Sequence, residues 1–134
     1  MFKLSKKVEY GLIAIKHIAN EGHIDPISAK EISQQHKIPY DLLSKVLQKL
    51  KREKILTSVH GIKGGYRLSK SPRKFTLSEI FNAIEGDNYI LDCGTHKNPD
   101  SCTLFKTCII SHPLQKVQRG LIKYFNSTKL SEIV

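Results

Sequence analysis

At 134 residues, 40% of them apolar, the chain has the length of one domain and enough apolar content for a modest core. It carries 22 Lys and Arg against 12 Asp and Glu, a formal charge of +10 that points to a polyanionic partner, nucleic acid before an anionic membrane surface. No apolar run approaches the roughly 18–20 residues of a membrane span, and the basic start lacks the apolar block of a signal peptide, so a cytoplasmic address is expected.

Taken in chain order, Ser5 stands where it caps a first helix whose stripe is Val8, Leu12, Ile15 and Ala19, closed by Glu21-Gly22-His23. A second helix opens at Ser28 with the capping box Ser28-x-x-Glu31, and Ile27 and Ile32 occupy the staple positions around it. After Gln34–Lys37 the third helix begins at Ile38-Pro39, since proline's fixed φ is already helical and its missing N–H would be unpaired there. Leu43, Val46 or Leu47, and Leu50 face inward in it, leaving Asp41, Ser44, Lys45, Gln48 and Lys49 outward. Two short helices joined tightly, the second basic outside, predict a helix-turn-helix.

Ile55–Val59 is strand-like, Tyr66-Arg67-Leu68 returns beside it, and His60–Gly65 between them supplies glycines for the positive φ of a hairpin tip. The fold class expected is therefore mainly α with a small β-hairpin, a winged helix-turn-helix. A fourth helix starts at the capping box Thr76-x-x-Glu79, stapled by Phe75 and Ile80, and carries the stripe Leu77, Ile80, Phe81 and Ile84 up to Gly86. Periodicity returns only from about Pro113 to Phe125, with Leu114, Val117, Leu121 and Tyr124 or Phe125. That stripe has little chain left to cover it and is read as a dimerisation helix. The expected division is residues 1–86 as the winged helix-turn-helix, 87–111 as a cysteine-containing loop, and 112–134 as dimerisation helix and tail.

Charge and sulfur are both concentrated. From Lys45 to Lys74 there are ten basic residues and one acid, Glu53, the footprint expected of a DNA-binding face. All three cysteines, Cys93, Cys102 and Cys108, fall in one stretch spaced C-x8-C-x5-C. In a reducing compartment such a group indicates metal or redox chemistry, and any single disulfide would leave one thiol over.

Three segments carry a resemblance: Leu4–Leu12, the wing Ser58-Val59-His60-Gly61-Ile62-Lys63-Gly64-Gly65-Tyr66-Arg67-Leu68, and the cysteine trio after the fourth helix. Together they resemble the Rrf-two (Rrf2) family of bacterial winged-helix regulators, over essentially the whole chain and in its IscR- and NsrR-like, iron–sulfur-cluster branch. The resemblance implies that the third helix enters the major groove and the wing reaches the minor groove. It places Ser44 and Lys45 at base-contacting positions with Asp41 and Gln48 on the same face, and Ser28 and Lys30 among the DNA-facing candidates. Lysine can donate to guanine and glutamine can pair with adenine, whereas Lys49, Lys63 and Arg67 are better placed for phosphate. His60 stands where many relatives have the arginine that suits a narrow minor groove.

The resemblance further implies an iron–sulfur cluster, 4Fe-4S or 2Fe-2S, one per subunit, on Cys93, Cys102 and Cys108. A fourth ligand is required. Glu9 of the partner subunit is preferred, standing where the nitric-oxide-sensing members have a carboxylate; His112, four residues after Cys108 and one off the IscR spacing, comes next, and His96 last.

The expected protein is a cytoplasmic homodimeric repressor binding a pseudo-palindromic operator in double-stranded DNA, its affinity set by a cluster that senses redox state, nitric oxide or iron–sulfur status. The alternative keeps the fold and replaces the cluster with zinc or a Cys102–Cys108 disulfide switch, although the C-x2-4-C pairs usual for zinc are absent. An enzyme with a cysteine nucleophile is not expected, since no Cys, His and acid fall in a catalytic context.

Overall fold

The computed structural model describes residues 3–86, 91 and 102–134. Helix α1 runs Lys6–Glu21, capped by Ser5, whose hydroxyl accepts from the Val8 N–H at 3.3 Å. Its buried face holds Val8, Gly11, Ala14, Ile15, His17 and Ile18, while Leu12 and Ala19 are only half-buried. The helix is thus embedded over a wider arc than one stripe, because α3, α4 and the wing all pack against it.

Helix α2 (Ala29–His36) has the expected Ser28 cap, its hydroxyl accepting from the Glu31 N–H at 3.1 Å, and Ile27 and Ile32 are both buried. Glu31 itself faces α1, with Oε1 3.8 Å from His17 Nε2. Helix α2 closes on Lys37 in the left-handed conformation, φ 54°, a tight turn with no glycine to announce it. Pro39 is the cap before α3 (Tyr40–Arg52), one residue ahead of the helical start expected for it, and its carbonyl accepts from the Leu43 N–H. Leu43, Val46, Leu47 and Leu50 are all buried, so the choice left open between Val46 and Leu47 resolves to both.

Strands β1 (Leu56–Val59) and β2 (Gly65–Leu68) pair antiparallel, Leu56 opposite Leu68 and Val59 opposite Gly65. The wing has a third rung: Ile27, just before α2, exchanges two main-chain hydrogen bonds with Tyr66, at 3.0 and 2.7 Å. The glycine requirement differs from the one expected. Only Gly61 has positive φ at the tip (123°). Gly64 and Gly65 are there for space: a Cβ on Gly65 would lie 2.4 Å from the Ile27 carbonyl, and one on Gly64 2.4 Å from the Val59 oxygen.

After a 3₁₀ turn at Pro72–Lys74, helix α4 (Leu77–Glu85) begins with a complete capping box, and Leu77, Ile80, Phe81 and Ile84 are buried as expected. Helix α5 (Ser111–Ser127) is the long C-terminal helix. Phe125 packs edge-on against Phe81, ring centres 5.1 Å apart, and buried Gln118 accepts from the Leu91 N–H. The tail assigned with α5 does not stay with it. Thr128 accepts from the Leu77 N–H, the Leu130 N–H donates to Phe75, and Leu130 is fully buried in the winged-helix core.

Candidate nucleic-acid interface and cysteine site

Helix α3 presents an outward face because its apolar positions fix the other side in the core. Asp41, Lys45 and Gln48 are exposed on it and Ser44 is half-exposed. On the wing, His60 and Lys63 are exposed beside Ile62 at the tip. Lys30 is exposed on α2, whereas the Ser28 hydroxyl is engaged as the cap. The helix-turn-helix and wing thus bring most of the DNA-facing candidates to the surface.

Two of the three residues read as phosphate contacts are engaged elsewhere. Lys49 is half-buried and its Nζ donates to the Ile84 carbonyl at 3.0 Å, at the end of α4. Arg67 Nη2 donates to the Ile24 carbonyl at 2.7 Å, tying β2 to the loop between α1 and α2. The Ile84 carbonyl is one of the last of its helix and has no partner within it, and the Ile24 carbonyl lies in a loop; each is within reach of a long cationic side chain. Lys63 alone of the three is fully free of such a tie among the described residues.

A polar network inside the helix-turn-helix escaped the sequence reading. His17 is 6% exposed on α1, and its Nδ1 shares a 2.9 Å hydrogen bond with His36 Nε2 in the last turn of α2. Its Nε2 has no partner closer than Glu31 among the described residues. A histidine on an apolar face gives no sequence signal of its bond, since the two rings lie on different helices.

Cys93 and His96 fall outside the described residues. Cys102 and Cys108 are half-buried free thiols in the turns leading into α5, where the Phe105 N–H donates to the Cys102 carbonyl and Ser111 Oγ to that of Cys108. His112 is exposed in the first turn of α5. Glu9, on the first turn of α1, accepts from Lys6 Nζ at 2.7 Å; that ion pair raises the Lys6 pKa. Among the described residues no three His, Cys, Asp or Glu side chains gather into a metal site, so within one chain neither Glu9 nor His112 completes such a group with Cys102 and Cys108. The donor chemistry nonetheless fits a thiolate-bound cluster: two unpaired thiols in neighbouring turns, with a third cysteine in the same stretch.

The profile of the Rrf2 family, described as iron-dependent transcriptional regulators, matches residues 4–134. The chain belongs to this family. An HTH-type transcriptional regulator of Aquifex aeolicus is 30% identical over 133 residues, covering 97% of this chain and 90% of that one. The regulator NsrR of Bacillus licheniformis is 24% identical over 98% of this chain and 92% of its own. Among solved structures, T. potens IscR superposes with a TM-score of 0.73 at 22% identity, over 97% and 84% of the two chains. CymR, the global cysteine regulator of B. subtilis, gives 0.71 at 23%, over 98% and 95%. The Rrf2 chain is thus a DNA-binding transcriptional regulator on a winged-helix fold, not an enzyme. Among the described residues no helix is long and apolar enough to cross a membrane.

Proposed function

We propose that this regulator is a cytoplasmic homodimeric repressor that reads a pseudo-palindromic operator through α3 and the wing, and holds one iron–sulfur cluster per subunit. Cys93, Cys102 and Cys108 would hold the cluster, with Glu9 of the partner subunit as fourth ligand and His112 as the alternative. The observation that carries the reading is the pair of free, half-buried thiols in the turns before α5, within a chain that matches the family from end to end. When bound, the cluster supplies redox chemistry and reactivity toward nitric oxide.

The chain's own surfaces support the pairing of subunits. On α5, Val117 is 56% and Tyr124 63% exposed, and Ile109 and Ile110 stand exposed just before it. On α1, Ile13 is exposed four residues after the half-exposed Glu9, one turn along the same face. The proposed pairing covers these apolar residues with a second copy and places its Glu9 at the cysteine turns of the partner. A ligand set divided between subunits would fix the angle between the two α3 helices, and half-site spacing makes affinity sensitive to that angle.

The test is DNA affinity measured on protein as purified and after anaerobic loading with iron and sulfide. The proposal expects the two affinities to differ at least severalfold, with the difference abolished by Cys102→Ala. Equal affinities at full loading would reject cluster control. A second reading, zinc or a Cys102–Cys108 disulfide in place of the cluster, draws on the same two free thiols; it predicts a response to zinc or to a thiol oxidant and none to iron with sulfide.

A further inference from the structure

Lys49 stands one turn before the end of α3, and its Nζ reaches the Ile84 carbonyl in the last turn of α4 at 3.0 Å. The last four carbonyls of a helix have no partner inside it, and a cation there also meets the negative end of the helix dipole. The same turn of α4 carries a second contact, in which Ser5 Oγ, at the cap of α1, donates to Glu85 Oε1. Gly86 follows with φ 81° and ψ −157°, a conformation side-chain-bearing residues rarely adopt, and the cysteine-bearing stretch begins beyond it. An open cleft lined by Lys49, Arg52, Glu53, Asn82, Ile84 and Glu85 lies between the two helix ends, and the Lys49 bond spans it.

We propose that Lys49 is a positioning residue, a strut that sets the orientation of α3 according to the last turn of α4. It is not a phosphate contact. Although α3 and α4 also pack directly on one another, this charged hydrogen bond carries a displacement at the end of α4 to the outer face of α3. This inference rests on the reading of α3 as the helix that reads DNA.

The experiment is a mutant cycle on the full chain, using a duplex selected by the wild-type protein from a random pool and affinities measured across a salt series. Lys49→Met keeps the aliphatic stem and removes the donor. It should weaken binding on the order of tenfold with the slope of log affinity against log salt unchanged, and Lys49→Arg should restore most of the loss. Gly86→Ala perturbs the end of α4, because an alanine at φ 81° strains the main chain while its Cβ meets none of the described residues within 4 Å. It should weaken binding severalfold in the wild type and add nothing to Lys49→Met. Far-ultraviolet circular dichroism and thermal unfolding of each variant confirm folding; should Gly86→Ala not fold, Glu85→Ala, which releases Ser5 from the same turn, replaces it. A salt slope shallower by about one charge in Lys49→Met would make Lys49 a phosphate contact and overturn the inference, as would multiplicative losses in the double variant. Failure of the wild type to select any duplex would remove the DNA reading, and this inference with it.

Discussion

Lys45 and Lys63 are both exposed cations on the basic face, yet they stand on elements with different reach. Lys45 lies on the outer face of α3 beside Asp41 and Gln48, the face proposed to read base edges; Lys63 lies at the wing tip. Lys45→Ala is expected to cost about 1 kcal/mol on the preferred duplex and to change base preference at one position. Lys63→Ala should weaken all duplexes alike and make the salt slope shallower by about one. Equal effects from both substitutions, in competition against a panel of duplexes, would remove the reading role from Lys45. His17 gives the stability counterpart. His17→Ala leaves His36 without its partner and opens space in the α1 face, and should lower unfolding stability by about 1–3 kcal/mol. His36→Ala removes the same bond, so the double variant should lose less than the sum of the singles in chemical unfolding. Exposure was legible where one element decides it, as at Asp41 and Lys45. The hydrogen bonds of Lys49 and Arg67 were not, because each depends on a carbonyl supplied by a distant part of the chain.

Helix starts were the most readable elements because their signals are local. The Thr76 and Glu79 side chains close a reciprocal box on the main chain at the start of α4, and Ser28 and Ser5 each accept from an N–H three residues on. Thr76→Ala should therefore cost about 1 kcal/mol of stability, measured by thermal unfolding, with DNA affinity at low temperature unchanged. The wing was legible as a hairpin, but the reason for its glycines was not. Ile27 lies 38 residues before Gly65 in the chain, and nothing local shows that the two main chains meet. Gly65→Ala places a Cβ 2.4 Å from the Ile27 backbone, so the third rung must open. The expected result is a loss of several kcal/mol or a detached wing, seen as faster amide exchange at Tyr66 and Ile27. Unchanged exchange at both would refute this account of the glycine. The arc of α1 was also read too narrow, because periodicity shows one stripe while three partner elements bury more of the helix.

At the scale of the whole molecule, charge, helix order and the wing made the architecture readable, and the match over residues 4–134 agrees with it. What escaped was the return of the tail: Leu130 is fully buried against the core, but three apolar residues, Leu130, Ile133 and Val134, in so short a segment make no helical or strand period. The buried Gln118 on α5 was likewise invisible, since the stripe there was read from apolar residues alone. A net charge of +10, with ten of the 22 Lys and Arg between Lys45 and Lys74, predicts affinity that falls on the order of a thousandfold between about 50 and about 200 mM salt, as condensed counterions are released. A flat response would dismiss the footprint. Cluster binding at the cysteines is decided by an anaerobic visible spectrum of protein loaded with iron and sulfide, with both elements assayed on the same sample. The account predicts a broad brown absorption with matching iron and acid-labile sulfide in the wild type, absent from Cys102→Ala; a protein that stays colourless after loading would contradict it.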